Sequence, residues 1–189
     1  MLPELLQRVS LFRLLHRIDV DLAEKQRQAG CPFCGGPLHM ASYQRKPRGG
    51  PATIPEEYHM RLSLCCGREH CRRRVLPPSC LFMGRRVYWG CVILVVMTLR
   101  QLRPNGMGAC KLKRLFSIPS KTILRWARYF RAEFPASGSW QRLRGQVPAT
   151  IPDDRLPGGL VEHFQRSFPS TTKALIACLL FLSAGGQTY

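Results

Sequence analysis

Residues 64–74, "LCCGREHCRRR", gather three cysteines and a histidine and run directly into Arg72, Arg73 and Arg74. Thiolates and imidazoles are soft metal ligands, but a four-coordinate ion draws its ligands from two separate turns of chain. The second turn lies upstream in residues 31–38, "CPFCGGPL", where two residues separate Cys31 from Cys34 and Gly35 and Gly36 come next. Thiolates at i and i+3 grip one tetrahedral ion only where the chain turns tightly beneath it, and glycine after the second cysteine permits the backbone angles such a turn needs. Cys66 and Cys71 form the matching half, enclosing "GREH" with Gly67 as the flexible residue of the turn. Cys31, Cys34, Cys66 and Cys71 are therefore the expected ligands of one Zn2+ per chain.

Cys65 competes with Cys66 for this role, since adjacent residues of an extended segment face opposite ways and the other points into the core. Cys66 is the expected ligand. His70 is expected in solvent, because Cys71 offers the softer donor at the knuckle position. Cys80, Cys91, Cys110 and Cys178 read as small buried hydrophobes.

Between the knuckles, "PLHMASYQRK" and "YHMRLSL" show partial alternation and are joined by the Pro- and Gly-rich "PRGGPATIPEE", which predicts a hairpin beneath the metal. So small a module buries little apolar surface, and the metal supplies most of its folding free energy, on the order of 10 kcal/mol. The ligand spacing over residues 31–76 resembles the zinc knuckle of the Ogr/Delta phage transcription activators. The chain departs from that family in its longer loop between knuckles and in the helical region beyond residue 76.

Residues 85–135 predict three helices. The first carries Val87, Cys91, Leu94, Val95, Thr98 and Leu99 at helical spacing and is broken by Pro104, Gly106 and Gly108. The second is short, "ACKLKRLFSI", with Leu112 and either Leu115 or Phe116 inward. The third starts at "SIPS", where Ser120 is the expected N-cap, and runs to Phe134 before Pro135. Ile123, Trp126, Ala127 and Phe130 share its apolar face, and basic residues lie largely elsewhere. A short helix, a tight turn and a basic second helix is the helix-turn-helix arrangement, whose recognition helix enters the major groove. Ser120, Lys121, Thr122 and Arg125 are then expected near bases, with Arg128 and Arg131 on phosphates. In this reading Arg72, Arg73 and Arg74 also meet phosphate.

A zinc ribbon followed by a trihelical helix-turn-helix with "IPSKTILRW", residues 31–134, resembles the small DNA-binding proteins of bacterial insertion sequences and the N-terminal parts of their transposases. The resemblance implies that the helix-turn-helix reads terminal inverted repeats of double-stranded DNA.

Charge agrees with a polyanionic partner: 29 Lys and Arg against 11 Asp and Glu give a formal +18 over 189 residues. The N-terminal stretch is interrupted by Arg8, Arg13, Arg17 and Asp19, so no secretory signal is readable. The apolar runs at 87–99 and 174–182 fall short of the roughly 18 residues a membrane span needs. A cytoplasmic, nucleoid-associated protein is expected, in which nine cysteines do not form a disulfide framework. The acids read as solvated surface groups and assemble no strand-borne triad of the kind two-metal strand transfer uses, so no enzyme is expected.

The expected fold class is α+β, mainly α. Its parts are an amphipathic N-terminal helix at 1–28, the zinc ribbon at 29–84, the helix-turn-helix at 85–135, a linker at 136–169 and a C-terminal helix at 170–189. Within the linker, residues 135–160 read as a connecting loop anchored by Trp140, with Arg142 and Arg144 near DNA backbone. The N-terminal helix packs on the C-terminal one or pairs two chains as a homodimer. A separate transposase is a further expected partner. Two alternatives stay open: an RNA-binding zinc-ribbon protein, and the DNA-binding fragment of a longer transposase.

Overall fold

The computed structural model describes residues 2–102 and 106–185; Pro104, the expected breaker, lies outside them. The described residues are mainly helical with a small antiparallel sheet. The N-terminal stretch divides into α1 (Leu2–Leu5) and α2 (Val9–Ala29), with a turn at residues 6–8 where one continuous helix was expected. The break turns Leu2, Leu5 and Leu6 inward beside Leu11, Phe12 and Leu15, all buried in the main core. Packing of both leucine sets outweighs helix continuity here. α2 packs against the first hairpin strand and the turn at Glu56–His59.

After α2 the chain forms β1 (Leu38–Met40), β2 (Tyr43–Gln44), β3 (Met60–Arg61), β4 (Leu64–Cys66) and β5 (Arg74–Val75). β1 pairs antiparallel with β4, Leu38 facing Cys66, and β2 pairs with β3, Tyr43 facing Arg61. Both pairings share one register, and the N–H of Ala41 donates to the carbonyl of Ser63 at 2.8 Å between them. The expected hairpin is thus one ladder with a short irregularity. β5 adds a third strand on the far edge of β4, which the sequence pattern did not predict. Its two residues are too few to alternate visibly.

The next helix, α3 (Gly90–Gln101), begins later than expected, because Tyr88 and Trp89 are drawn into bridges with Arg48 and Phe82 and Val87 stays exposed. Every side chain from Cys91 to Leu99 is buried, as a helix that is apolar all round requires. α4 (Ala109–Phe116) and α5 (Ser120–Arg128) pack on α3 and on each other. Leu112 is buried, Phe116 half-buried and Leu115 exposed, which resolves the inward position in favour of Phe116. α5 continues through a π turn at Tyr129–Glu133 to Phe134.

Residues 135–160 are not a plain connecting loop. They hold α6 (Gly138–Arg144) and lead into α7 (Gly158–Ser167), with Trp140, Leu143, Ile151 and Leu156 buried. Prolines and glycines there mark helix boundaries, and the apolar residues between them are too sparse to display a period. α8 (Thr171–Ala184) is capped by Ser170, whose hydroxyl accepts from the N–H of Lys173 at 3.1 Å, and packs on α3, α6 and α7. Among the described residues no helix is long and apolar enough to cross a membrane.

Candidate metal centre and nucleic-acid interface

The first knuckle closes because the N–H of Gly35 donates to the carbonyl of Cys31 at 2.8 Å and the N–H of Cys31 to that of Gly36 at 2.9 Å. Gly35 sits at φ 67°, the left-handed region the turn was expected to need. In the second knuckle the left-handed residue is Arg72, at φ 44°, and not Gly67. Gly67 serves close approach instead: a Cβ there would stand 2.6 Å from Nε2 of His39.

The two turns bring Cys31, Cys34, Cys66 and Cys71 together, their four sulfurs all within 4.8 Å of one another. Sγ of Cys31 is 3.8 Å from that of Cys71, and Sγ of Cys34 is 3.5 Å from that of Cys66. An ion with tetrahedral Zn–S bonds of about 2.3 Å spaces its sulfurs by about 3.8 Å, so the four thiols fit such an ion. Burial alone would raise the Cys31 thiol, but the backbone N–H groups of Phe33 and Cys34, with the thiols of Cys34 and Cys71, bring it down to about 7. That favours the thiolate, the form that binds metal. Among the described residues this is the one cluster of His, Cys, Asp or Glu donors close enough to hold an ion.

Cys65 faces away from the cluster on the other side of β4, as the alternation of a strand requires. It is half-buried and its thiol is 3.5 Å from the carbonyl of Arg72, so it does not enter the core either. His70 is exposed. Cys80, Cys91 and Cys178 are buried as expected, and burial pushes the Cys91 thiol up to about 12. Cys110 is exposed, contrary to expectation, because the short α4 turns Ala109, Leu112 and Phe116 inward.

Arg72, Arg73 and Arg74 are all exposed beside the thiol cluster. The guanidinium of Arg73 lies 4.6 Å from the ring centre of Phe33, in the first knuckle, and that of Arg74 lies 5.5 Å from Tyr43. Phe33 is 57% exposed. Its position between two ligands explains this, and nothing in the residue type foretold it.

The exposed basic helix is α5. Ile123, Trp126 and Phe130 are buried, and Lys121, Arg125, Arg128 and Arg131 are all exposed on its outward side. Ser120 and Thr122 are half-buried at its start. Ser120 is not the cap: Pro119 holds that position, and its carbonyl accepts from the N–H groups of Thr122 and Ile123 at 2.9 and 3.2 Å. Ser117, at φ 53°, ends α4 and makes the turn between the two helices.

Arg142 and Arg144, expected near DNA backbone, are exposed and half-buried respectively, and both also bond to carbonyls of the chain itself. Arg142 donates from Nε to the carbonyl of Gly185 at 2.9 Å, and Arg144 donates to carbonyls of Pro148, Ala149 and Ile151. Asp19, expected among the surface acids, is buried. Its carboxylate accepts from the hydroxyl of Ser79 and from the N–H groups of Cys80 and Leu81, at 2.6 and 3.4 Å for the latter two. The buried Arg61 stands nearby and donates to the carbonyl of Pro77 at 2.6 Å. Comparison with protein-family models, with curated proteins and with solved structures gave no match.

Proposed function

We propose that this chain binds double-stranded DNA in a sequence-specific manner, as a zinc-ribbon and helix-turn-helix protein of a mobile element. The observation that carries this reading is α5, a helix anchored by Ile123, Trp126 and Phe130 that turns a ridge of Lys121, Arg125 and Arg128 outward in a chain of formal charge +18. α4, the turn at residues 117–119 and α5 form the helix-turn-helix, and the first residues of α5 read base edges. Ser120, Lys121, Thr122 and Arg125 lie nearest the bases, and Arg128 and Arg131 bind phosphate. The all-thiolate donor set suits Zn2+, one ion per chain, closing the ribbon and carrying Arg72, Arg73 and Arg74 to the phosphate backbone. The reading assigns the chain no catalytic site. Its placement in a mobile element, beside a separate transposase or as the DNA-binding part of one, rests on the resemblance of residues 31–134.

The test has two stages. Elemental analysis of purified protein is expected to return one zinc per chain, lost in Cys34→Ser and in Cys71→Ser. The zinc-loaded protein is then expected to enrich a defined sequence from a pool of random duplexes. Arg72, Arg73 and Arg74 changed to Ala weaken binding to all duplexes alike, whereas Arg125→Ala changes which duplex is preferred. A folded protein without zinc removes the ribbon, and identical behaviour of all four variants removes α5 as the recognition helix.

Exposed Phe33 and Tyr43, each beside an arginine, favour a second reading in which the ribbon stacks on unpaired bases of RNA. Tighter binding to single-stranded RNA than to any duplex, abolished by Phe33→Ala, would select it.

A further inference from the structure

α5 runs between two arginine-lined grooves. Residues of a helix succeed one another by about 100°, so with Lys121 outermost, Arg125, Trp126 and Tyr129 fall on one flank and Leu124, Ala127, Arg128 and Arg131 on the other. The first flank opens onto a groove completed by Arg85, Arg86 and Tyr88. The second opens onto a groove completed by Arg100 at the end of α3 and by Arg155. Each groove also contains one acid, Glu133 in the first and Asp154 in the second.

Both walls are held in place. Tyr88 meets Trp126 edge to face with ring centres 5.0 Å apart, and the guanidinium of Arg86 lies 3.7 Å from the ring centre of Tyr129. Arg45, from the hairpin, donates to the carbonyls of Gly84 and Arg86 at 2.8 and 2.9 Å and fixes that segment beside α5. On the second side Gln101 donates to the carbonyl of Leu156 at 2.6 Å and accepts from the N–H of Gly158 at 2.8 Å, which secures the segment carrying Arg155. Arg155 is further oriented by Glu162, at 3.0 Å.

A helix with its side chains is about 10–12 Å across, and the major groove is about 12 Å wide, so a helix lying in it has a phosphate backbone on each flank. We propose that the two grooves hold these two backbones: Arg85 and Arg86 meet the phosphates of one strand, and Arg100 and Arg155 those of the other. This rests on α5 entering duplex DNA. Guanidinium forks pair bidentately with phosphate, and two pre-set walls fix the helix in register without reading sequence.

The experiment is phosphate-ethylation interference with the intact zinc-loaded chain on a duplex recovered by selection. Arg85→Ala is expected to erase interference on one strand only and Arg100→Ala on the opposite strand. Each lowers the magnitude of the slope of log K against log salt by about 0.9, the value of one lost phosphate contact. Where an alanine variant fails to fold, Arg85→Gln and Arg100→Gln keep much of the side-chain length and remove the charge. Wild-type interference and slope in both variants overturn the proposal, as does loss on a single shared strand. An intact chain that binds no duplex overturns the proposed function and this inference with it.

Discussion

Cys65 and Cys66 are neighbours in β4 with opposite surroundings: one is half-buried against the carbonyl of Arg72, and the other is fully enclosed beside the other clustered thiols. Cys66→Ser is therefore expected to lose bound metal, and Cys65→Ser to keep one ion per chain; elemental analysis of the two proteins checks this. Asp19 is the other residue whose surroundings change its chemistry. Burial, set against the hydroxyl of Ser79 and the N–H groups of Cys80 and Leu81, raises its carboxyl to about 6. The folded chain therefore binds more protons than the unfolded one between the ordinary carboxylate value near 4 and about 6. The stability this contributes is complete below that window and declines as pH rises through it, by up to about 3 kcal/mol. Urea unfolding at both ends of the window is expected to show wild type losing stability relative to Asp19→Asn. The comparison cancels any metal release, which both proteins share. The alternation of a strand already favoured Cys66 over Cys65, whereas the setting of Asp19 could not be read from its neighbours in sequence, because it is buried by a turn some sixty positions away.

At the scale of elements, α5 separates a packing face from an exposed basic one. Trp126 is buried against Tyr88, and Trp126→Ala is expected to cost about 3–5 kcal/mol in chemical denaturation. Arg125 is exposed, and Arg125→Ala is expected to change stability by no more than about 0.5 kcal/mol while altering duplex preference in the selection assay. The inward face of α5 was legible because a period of 3.6 is written over four apolar residues. The hairpin was legible from its two alternating segments and the Pro- and Gly-rich turn between them. β5 and α6 were not, since two strand residues or seven helical ones among prolines carry too short a pattern. The break between α1 and α2 was hidden for a different reason: the leucines on both sides fit one helical stripe, and only contact with the core shows that two directions bury more of them.

Over the whole molecule, two apolar clusters of unequal size divide the stability. The main core runs from α1 through α8 and includes α3 from Cys91 to Leu99 except Thr98, whereas the small sheet buries Leu38, Leu64 and Val75 beside the clustered cysteines. Removal of metal by a chelator is expected to abolish amide-exchange protection in β1, β4 and β5 while α3 and α8 stay protected, as hydrogen exchange followed by mass spectrometry can resolve. The hairpin tip belongs to the larger body, through Tyr58 and the bridge between Arg48 and Tyr88, so it is expected to retain partial protection.

By itself the sequence determined the knuckles, the hairpin between them, the buried helices and the inward face of α5, because each is a short-range pattern of spacing that local backbone geometry must obey. Tertiary structure alone decided which acid is buried. It also decided that Arg142 and Arg144 serve the fold while Arg85, Arg86, Arg100 and Arg155 flank α5. These outcomes depend on groups far apart in the chain arriving at one place, and a charge or thiol takes its role from what it meets there.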